Sequence, residues 1–399
     1  MATLALAEPR LRLPADQPGW RAFMAMAFRP FYLGAALFGA LAVLAWVAGF
    51  GGSGALPGLL WHGHEMIWGY AGAVIVGFLL TAVASWTGQA PCSGWPLAAL
   101  FALWLGARAA AALETGMPLV TGLFSVGFLL SAAVALALPI GRARNRRNAL
   151  IPLLLMAFAV ADAAFLLAAS GTLAIAPQRP LMAGLLVVAG FISVIGLRVI
   201  PFFTHRALQR PQRADPRWAE RLAMLAPLVL AAQVAAGSGS PAALGVGVAG
   251  LLFNLALLAR HLHRGILHHP LLWILFGGYA MTALGLGLTG VAVSLAPSLL
   301  SAATHLIAVG GIGVLTLGMM TRTALGHTGR PLRLPRSMLP AYAAMLLAAV
   351  LRVAAAWPGE APSAPLLHAA GTAFALSLLL FVARYGRWLV SSRADGLPG

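Results

Sequence analysis

The residues whose types and spacing could do chemistry are histidines and a few charges set within apolar surroundings. His62, His64 and Glu65 fall within four residues at the head of a long uncharged run, 61–88, with the thioether of Met66 beside them. On a helix, positions i and i+2 point about 200° apart, whereas an extended lead-in sends both to one side. Gly58 and Gly63 favour the extended form, which predicts both imidazoles on one side. Two imidazoles with a carboxylate and a soft thioether suit a copper or haem site. The plainer reading is an interfacial pair bonded to headgroups or loop backbone. His305 is the only histidine well inside an apolar run, about 10 Å deep at a rise of 1.5 Å per residue, and Ser301, Thr316 and Met319 share its stripe. It is expected to serve as a ligand or to line a cavity.

Arg108, Asp162 and Arg352 also interrupt apolar runs. Charges at such depth face a partner, a cavity or the bundle interior. Arg108 and Asp162 could form an ion pair that holds helices together. Alternatively, Arg108 and Arg352 are counter-ions for an anionic cofactor such as the propionates of a haem. His327 lies about 33 Å from His305 along a continuous helix, too far for one shared site, so either each membrane face has a site or His327 is structural. His368 starts near the same boundary as His62. The remaining histidines, His205, His261, His263, His268 and His269, sit among arginines at loop borders and read as solvated.

These residues must be positioned by a membrane bundle. The chain is 61% hydrophobic with 9% charged residues, against about 25% charged in soluble domains. All 26 cations are arginine, giving a net charge of +17 against 9 acids. The arginines cluster in alternate loops, as membrane orientation requires, so nucleic-acid binding is excluded. The single Cys92 excludes an internal disulfide, a four-cysteine zinc site and covalent haem attachment through two cysteines. The N-terminal residues do not read as a cleaved signal peptide.

Hydropathy predicts an all-α polytopic bundle of twelve transmembrane helices, at about 31–50, 61–88, 95–113, 118–139, 149–169, 181–203, 219–236, 241–259, 270–293, 298–321, 338–356 and 364–390. The loop 141–148 holds four arginines in eight residues, and the loops near 205–221, 260–269 and 322–337 are also basic. Both termini are therefore expected inside, with 1–29 a cytoplasmic tail, 30–390 one transmembrane domain and 391–399 a second cytoplasmic tail. Gly69, Ala73 and Gly77 give the second span a smooth stripe for close helix approach.

Four phrases carry a resemblance: FRPFYL (28–33), WHGHEMIWGYAGAVIVGFLLTAVASWTG (61–88), LRVIPFFT (197–204) and ATHLIAVGGIGVLTLGMMTRTALGHTGRP (303–331). They are similar to the NnrS family, over most of the chain. The resemblance implies a twelve-span protein of the bacterial inner membrane containing non-covalent haem b and copper and linked to nitric oxide metabolism and nitrosative stress. Its partners would be lipid, nitric oxide or a related small ligand, and a redox partner. Position by position, the matching histidines are His62, His64, His305 and His327, with Glu65, Arg198 and Arg322 beside them. Where some relatives carry a histidine in the ninth span, this chain has Phe276.

A looser analogy is the catalytic subunit of haem-copper oxidases, which also has twelve spans and holds metals on spans 2, 6 and 10. It would pair one of His62 and His64 with His305 across a haem. No histidine lies within spans 6 or 7, so an oxygen-reducing centre of that type is not expected. Three functions compete: binding or redox processing of nitric oxide at metals in the outer half, a secondary transporter, and a sensor or assembly factor that holds metal without turnover.

Overall fold

Lipid offers no hydrogen bonds, so a chain this apolar satisfies its backbone within helices. The computed structural model describes residues 16–211, 213–237, 239–359 and 364–397; Arg10 and Arg12 of the expected N-terminal tail, and part of the 237–241 turn, lie outside them. Among the described residues there is no sheet, only two isolated bridges.

Twelve helices are long and apolar enough to cross a membrane: α1 (Phe28–Val47), α2 (Leu59–Thr87), α3 (Gly94–Leu113), α4 (Leu119–Arg142), α5 (Arg146–Ala169), α6 (Gln178–Leu208), α7 (Arg217–Ala235), α8 (Pro241–Ala259), α9 (Pro270–Ser294), α10 (Pro297–His327), α11 (Arg336–Ala355) and α12 (Ala364–Val390). The protein is thus an integral multi-pass membrane protein. Helices α2 and α6 are the most enclosed, with 78% and 72% of their apolar windows buried, while α3, α7 and α8 at 33% form part of the wall. Leu41, Leu123, Val160, Leu252 and Val350 stand exposed on that wall, which suits acyl chains and would be a liability in water.

Successive helices pack as neighbours, and the wall closes where α12 lies against both α1 and α11. The lower half of α10 is packed by α1, α9, α11 and α12. At the arginine-rich end the chain ends are knitted together. Arg29, fully buried, donates to the carbonyls of Leu389 at 3.1 Å and Ser391 at 2.6 Å. Gly19 N–H donates to the Val390 carbonyl at 2.9 Å.

The expected small-residue stripe on α2 is approached closely. A Cβ on Gly77 would lie 2.9 Å from Phe31, and one on Gly69 would lie 3.0 Å from Phe38 and 2.2 Å from the Arg108 guanidinium. Two helices change winding at corresponding places. The α2 backbone runs as a π-helix over Glu65–Ala71, directly after His64, and α10 does so over Leu306–Gly313, directly after His305. Such segments rotate the side chains on either side relative to one another and are frequent at functional sites.

Candidate functional site

Gly58, at φ 61, ends the loop before α2, and the helix starts at Leu59. The expectation of an extended lead-in is therefore corrected: Gly63 is helical, and its missing Cβ admits Leu181 of α6, which would stand 2.8 Å away. Helical winding sends His62 and His64 to opposite sides. The His62 ring stacks on Trp46 of α1, centroids 4.8 Å apart and planes at 17°. Its Nδ1 is buried with no protein partner.

His64 faces the other way, into a polar chain drawn from four helices. Arg108 Nη1 of α3 donates to Glu65 Oε1 at 2.7 Å. The same oxygen is 2.7 Å from His64 Nδ1, and His64 Nε2 is 3.0 Å from Asp162 Oδ1 of α5. Ser125 of α4 donates to Asp162 Oδ2 at 2.6 Å. His64, Glu65 and Asp162 are all fully buried. The rings of Trp68 and Phe165 flank the imidazole at 5.4 and 5.6 Å. The pairing expected between Arg108 and Asp162 is thus replaced: Arg108 meets Glu65, and His64 meets Asp162. With both ring nitrogens against carboxylates, His64 presents no lone pair to a metal in this geometry.

His305 sits on α10 with Nδ1 2.7 Å from the Ser301 carbonyl. A carbonyl only accepts, so Nδ1 carries the hydrogen, and in the neutral ring Nε2 keeps its lone pair. His62 and His305 lie within electrostatic reach of each other and of Arg352 on α11. Both rings are partly buried. Below them Tyr70 of α2 and Thr316 of α10 share a hydrogen bond of 2.7 Å. Helices α2 and α10 are therefore joined through polar groups at the Tyr70–Thr316 level.

The structure does not bring His327 to this space. It lies at the arginine-rich end, its ring 5.6 Å from Phe28 and its carbonyl accepting from Arg393 at 3.3 Å. His368 is exposed, with Nδ1 2.7 Å from the Ala364 carbonyl. Among the solvated-border histidines, His261 is buried, its Nε2 2.7 Å from Asp215 Oδ2. That contact, the stacking of Trp46 and the role of Ser125 had no signal in residue spacing.

Among the described residues no three His, Cys, Asp or Glu side chains converge on a metal-sized point. The donor set that exists is His62, with its unpartnered buried Nδ1, and His305, with the nitrogen left free by Ser301. Two imidazoles with a nearby guanidinium have the donor chemistry that would suit a haem iron or copper, groups for which imidazole is an ordinary ligand.

Two comparisons bear on this arrangement. The family model described as NnrS protein matches residues 22–393, nearly the whole chain. No curated protein matches it.

Proposed function

The chain belongs to the NnrS family, and from that premise we propose that it is a haem- and copper-binding protein of the bacterial inner membrane. On this reading it acts in the nitric oxide response, with its ligand site between α2, α10 and α11. The observation that carries the reading is that His62 and His305 lie within electrostatic reach of each other and of Arg352. Their helices reach that level from opposite ends of the chain, and each imidazole has a nitrogen that no protein group uses.

His62 and His305 would hold the metal. A bound haem iron or copper supplies a coordination position for nitric oxide and one-electron chemistry. The chain's own contribution is orientation and exclusion. Trp46 fixes the plane of His62, and the Ser301 carbonyl fixes the tautomer of His305. Arg352 offers a positive charge to an anionic group, as a propionate would be. The apolar wall admits a small uncharged ligand from the bilayer while keeping ions out. His64, Glu65 and Arg108, bound to one another and to Asp162 and Ser125, hold α2 in register rather than ligate. The arginine-rich end lies in the cytoplasm by the charge rule, which puts the site in the outer half.

Purified protein titrated with nitric oxide under anaerobic conditions tests this. A haem-type absorption band that shifts on addition, lost in His305→Ala and retained in His368→Ala, is the expected result. A colourless preparation free of iron and copper would end the proposal.

A further inference from the structure

Three arginines are buried among the described residues: Arg29, Arg108 and Arg322. Two of them have protein acceptors. Arg29 donates to backbone carbonyls where the chain ends meet, and Arg108 donates to Glu65 and to the Trp104 carbonyl. Arg322, only 8% exposed, donates a hydrogen bond to none of the described residues. Its guanidinium carbon stands 3.6 Å over the centroid of the Phe203 ring. The charged or ionisable groups that bear on it are Tyr342 and Arg206, with no carboxylate among them.

Helix α10 ends at His327 and α6 at Leu208, so Arg322 and Phe203 each sit about 7–8 Å inside the arginine-rich end of their helix at 1.5 Å per residue. Higher up, α6 packs on α10 directly over Leu306–Gly313. At the lower level Arg322 reaches across to it. Phe203 and Arg206 are three positions apart on α6 and share a face, with Arg206 exposed. A snorkelling arginine carries its head out into water, whereas Arg322 lays its head on an aromatic ring. At 3.6 Å the guanidinium must lie face-on, because an edge-on approach would drive a nitrogen into the ring. Stacking uses the face, so the N–H donors point outward in the plane. None of these nitrogens is among the sealed, unpartnered atoms, so they open onto space that solvent reaches.

A buried cation without a counter-charge is costly, and a second guanidinium nearby adds repulsion. An oxyanion between the two reverses both effects, since the arginine fork matches two oxygens of a phosphate. Basic pockets between spans on the cytoplasmic side hold lipid headgroups by this chemistry. We propose that Arg322 and Arg206, with the Phe203 ring as a floor, form a binding site for a phosphate group at the cytoplasmic ends of α6 and α10. The phosphodiester of an anionic phospholipid and inorganic phosphate present the same oxygens to it. Along α10 the site is about 25 Å from His305 at the helical rise, so it does not rest on the function proposed above.

Native mass spectrometry of the full chain, delipidated in detergent and titrated with phosphatidylglycerol or phosphatidylcholine, tests the site, with thermal unfolding in inorganic phosphate as a second arm. Wild type should bind one phosphatidylglycerol about tenfold more tightly than Arg322→Gln, as loss of charge-assisted hydrogen bonds implies. Phosphatidylcholine should bind the two alike. Arg322→Lys keeps the charge and loses the fork, so it should fold and bind phosphatidylglycerol several-fold more weakly than wild type. Arg333→Gln removes an exposed arginine from the same end and should bind as wild type does. A free-phosphate site would show instead as a midpoint raised by phosphate in wild type and not in Arg322→Gln, with phosphatidylglycerol binding equal in the two. Equal responses of wild type, Arg322→Gln and Arg322→Lys to both ligands would overturn the proposal, whatever metal the preparation holds. So would an equal loss in Arg333→Gln, which would show general charge attraction rather than a site.

Discussion

Asp162 Oδ1 lies 3.0 Å from His64 Nε2, a contact across 98 positions that joins α5 to α2. It is one link in a buried series from Arg108 to Ser125, and the links differ in what their loss leaves behind. Asp162→Ala strands His64 and Ser125 and unbalances the charge, so a loss of about 3–5 kcal/mol is expected. Ser125→Ala removes a single hydroxyl donor to a carboxylate, at about 1.5–3 kcal/mol. Thermal unfolding in detergent should rank Asp162→Ala well below Ser125→Ala. Equal midpoints would show that the series does not stabilise the bundle.

A paired test concerns how closely α2 is approached. A Cβ on Gly69 would meet the Arg108 guanidinium at 2.2 Å, and that guanidinium is already held by Glu65. Gly69→Ala should destabilise by about 1–3 kcal/mol through overpacking. On Gly72 the nearest atom, in Phe158, would be 3.5 Å away, an ordinary contact. Gly72→Ala should therefore fold with nearly the wild-type midpoint, measured by the same unfolding assay.

The loop between α3 and α4 gives a pH-dependent prediction. Glu114 accepts from the N–H groups of Val120 at 2.8 Å and Thr121 at 2.9 Å and from the Thr121 hydroxyl at 2.7 Å, capping α4. Burial pushes its carboxyl up, but the bonds from Thr121 and Val120 outweigh that and hold it below its ordinary value. A carboxyl depressed by folding stabilises above its unfolded pKa, about 4.3 for glutamate, and loses that contribution as pH falls through the folded value. Glu114→Gln should cost about 1 kcal/mol at neutral pH, as cap losses do. The difference in midpoint between wild type and variant should shrink as pH is lowered below about 4.

Much of this architecture was legible in the sequence, because lipid imposes a simple rule on length and polarity. All twelve spans are present, and the chief discrepancy is in their ends: α6 and α10 continue to Leu208 and His327, past the apolar runs, since solvated helical turns need no hydrophobicity. The site was less legible. That His62 and His305 share a level followed from depth, but the opposite facing of His62 and His64 turned on whether Gly58 or Gly63 breaks the helix. The partners of Arg108 and Asp162 depend on rotation about helix axes, which hydropathy does not encode. The π-helical segments after His64 and His305 leave no mark in residue types.

Trp46 is expected to matter through His62 alone, since the two rings stack at 4.8 Å. Groups that orient a metal ligand typically change metal affinity by about 10–100-fold when lost. Trp46→Ala should weaken metal retention on dialysis against a chelator, while Trp46→Phe, which keeps a flat ring, should retain more. Identical losses in both would remove Trp46 from the site.

The central claim is that imidazoles of α2 and α10 serve one metal-holding space, and metal content in a set of histidine variants tests it most directly. Iron and copper per chain should be measured for His62→Ala, His305→Ala and the double variant, with His64→Ala and His368→Ala alongside. A shared site predicts that either single change removes the same metal as the double. Full metal content in both singles, or losses of different metals that simply add in the double, would contradict it.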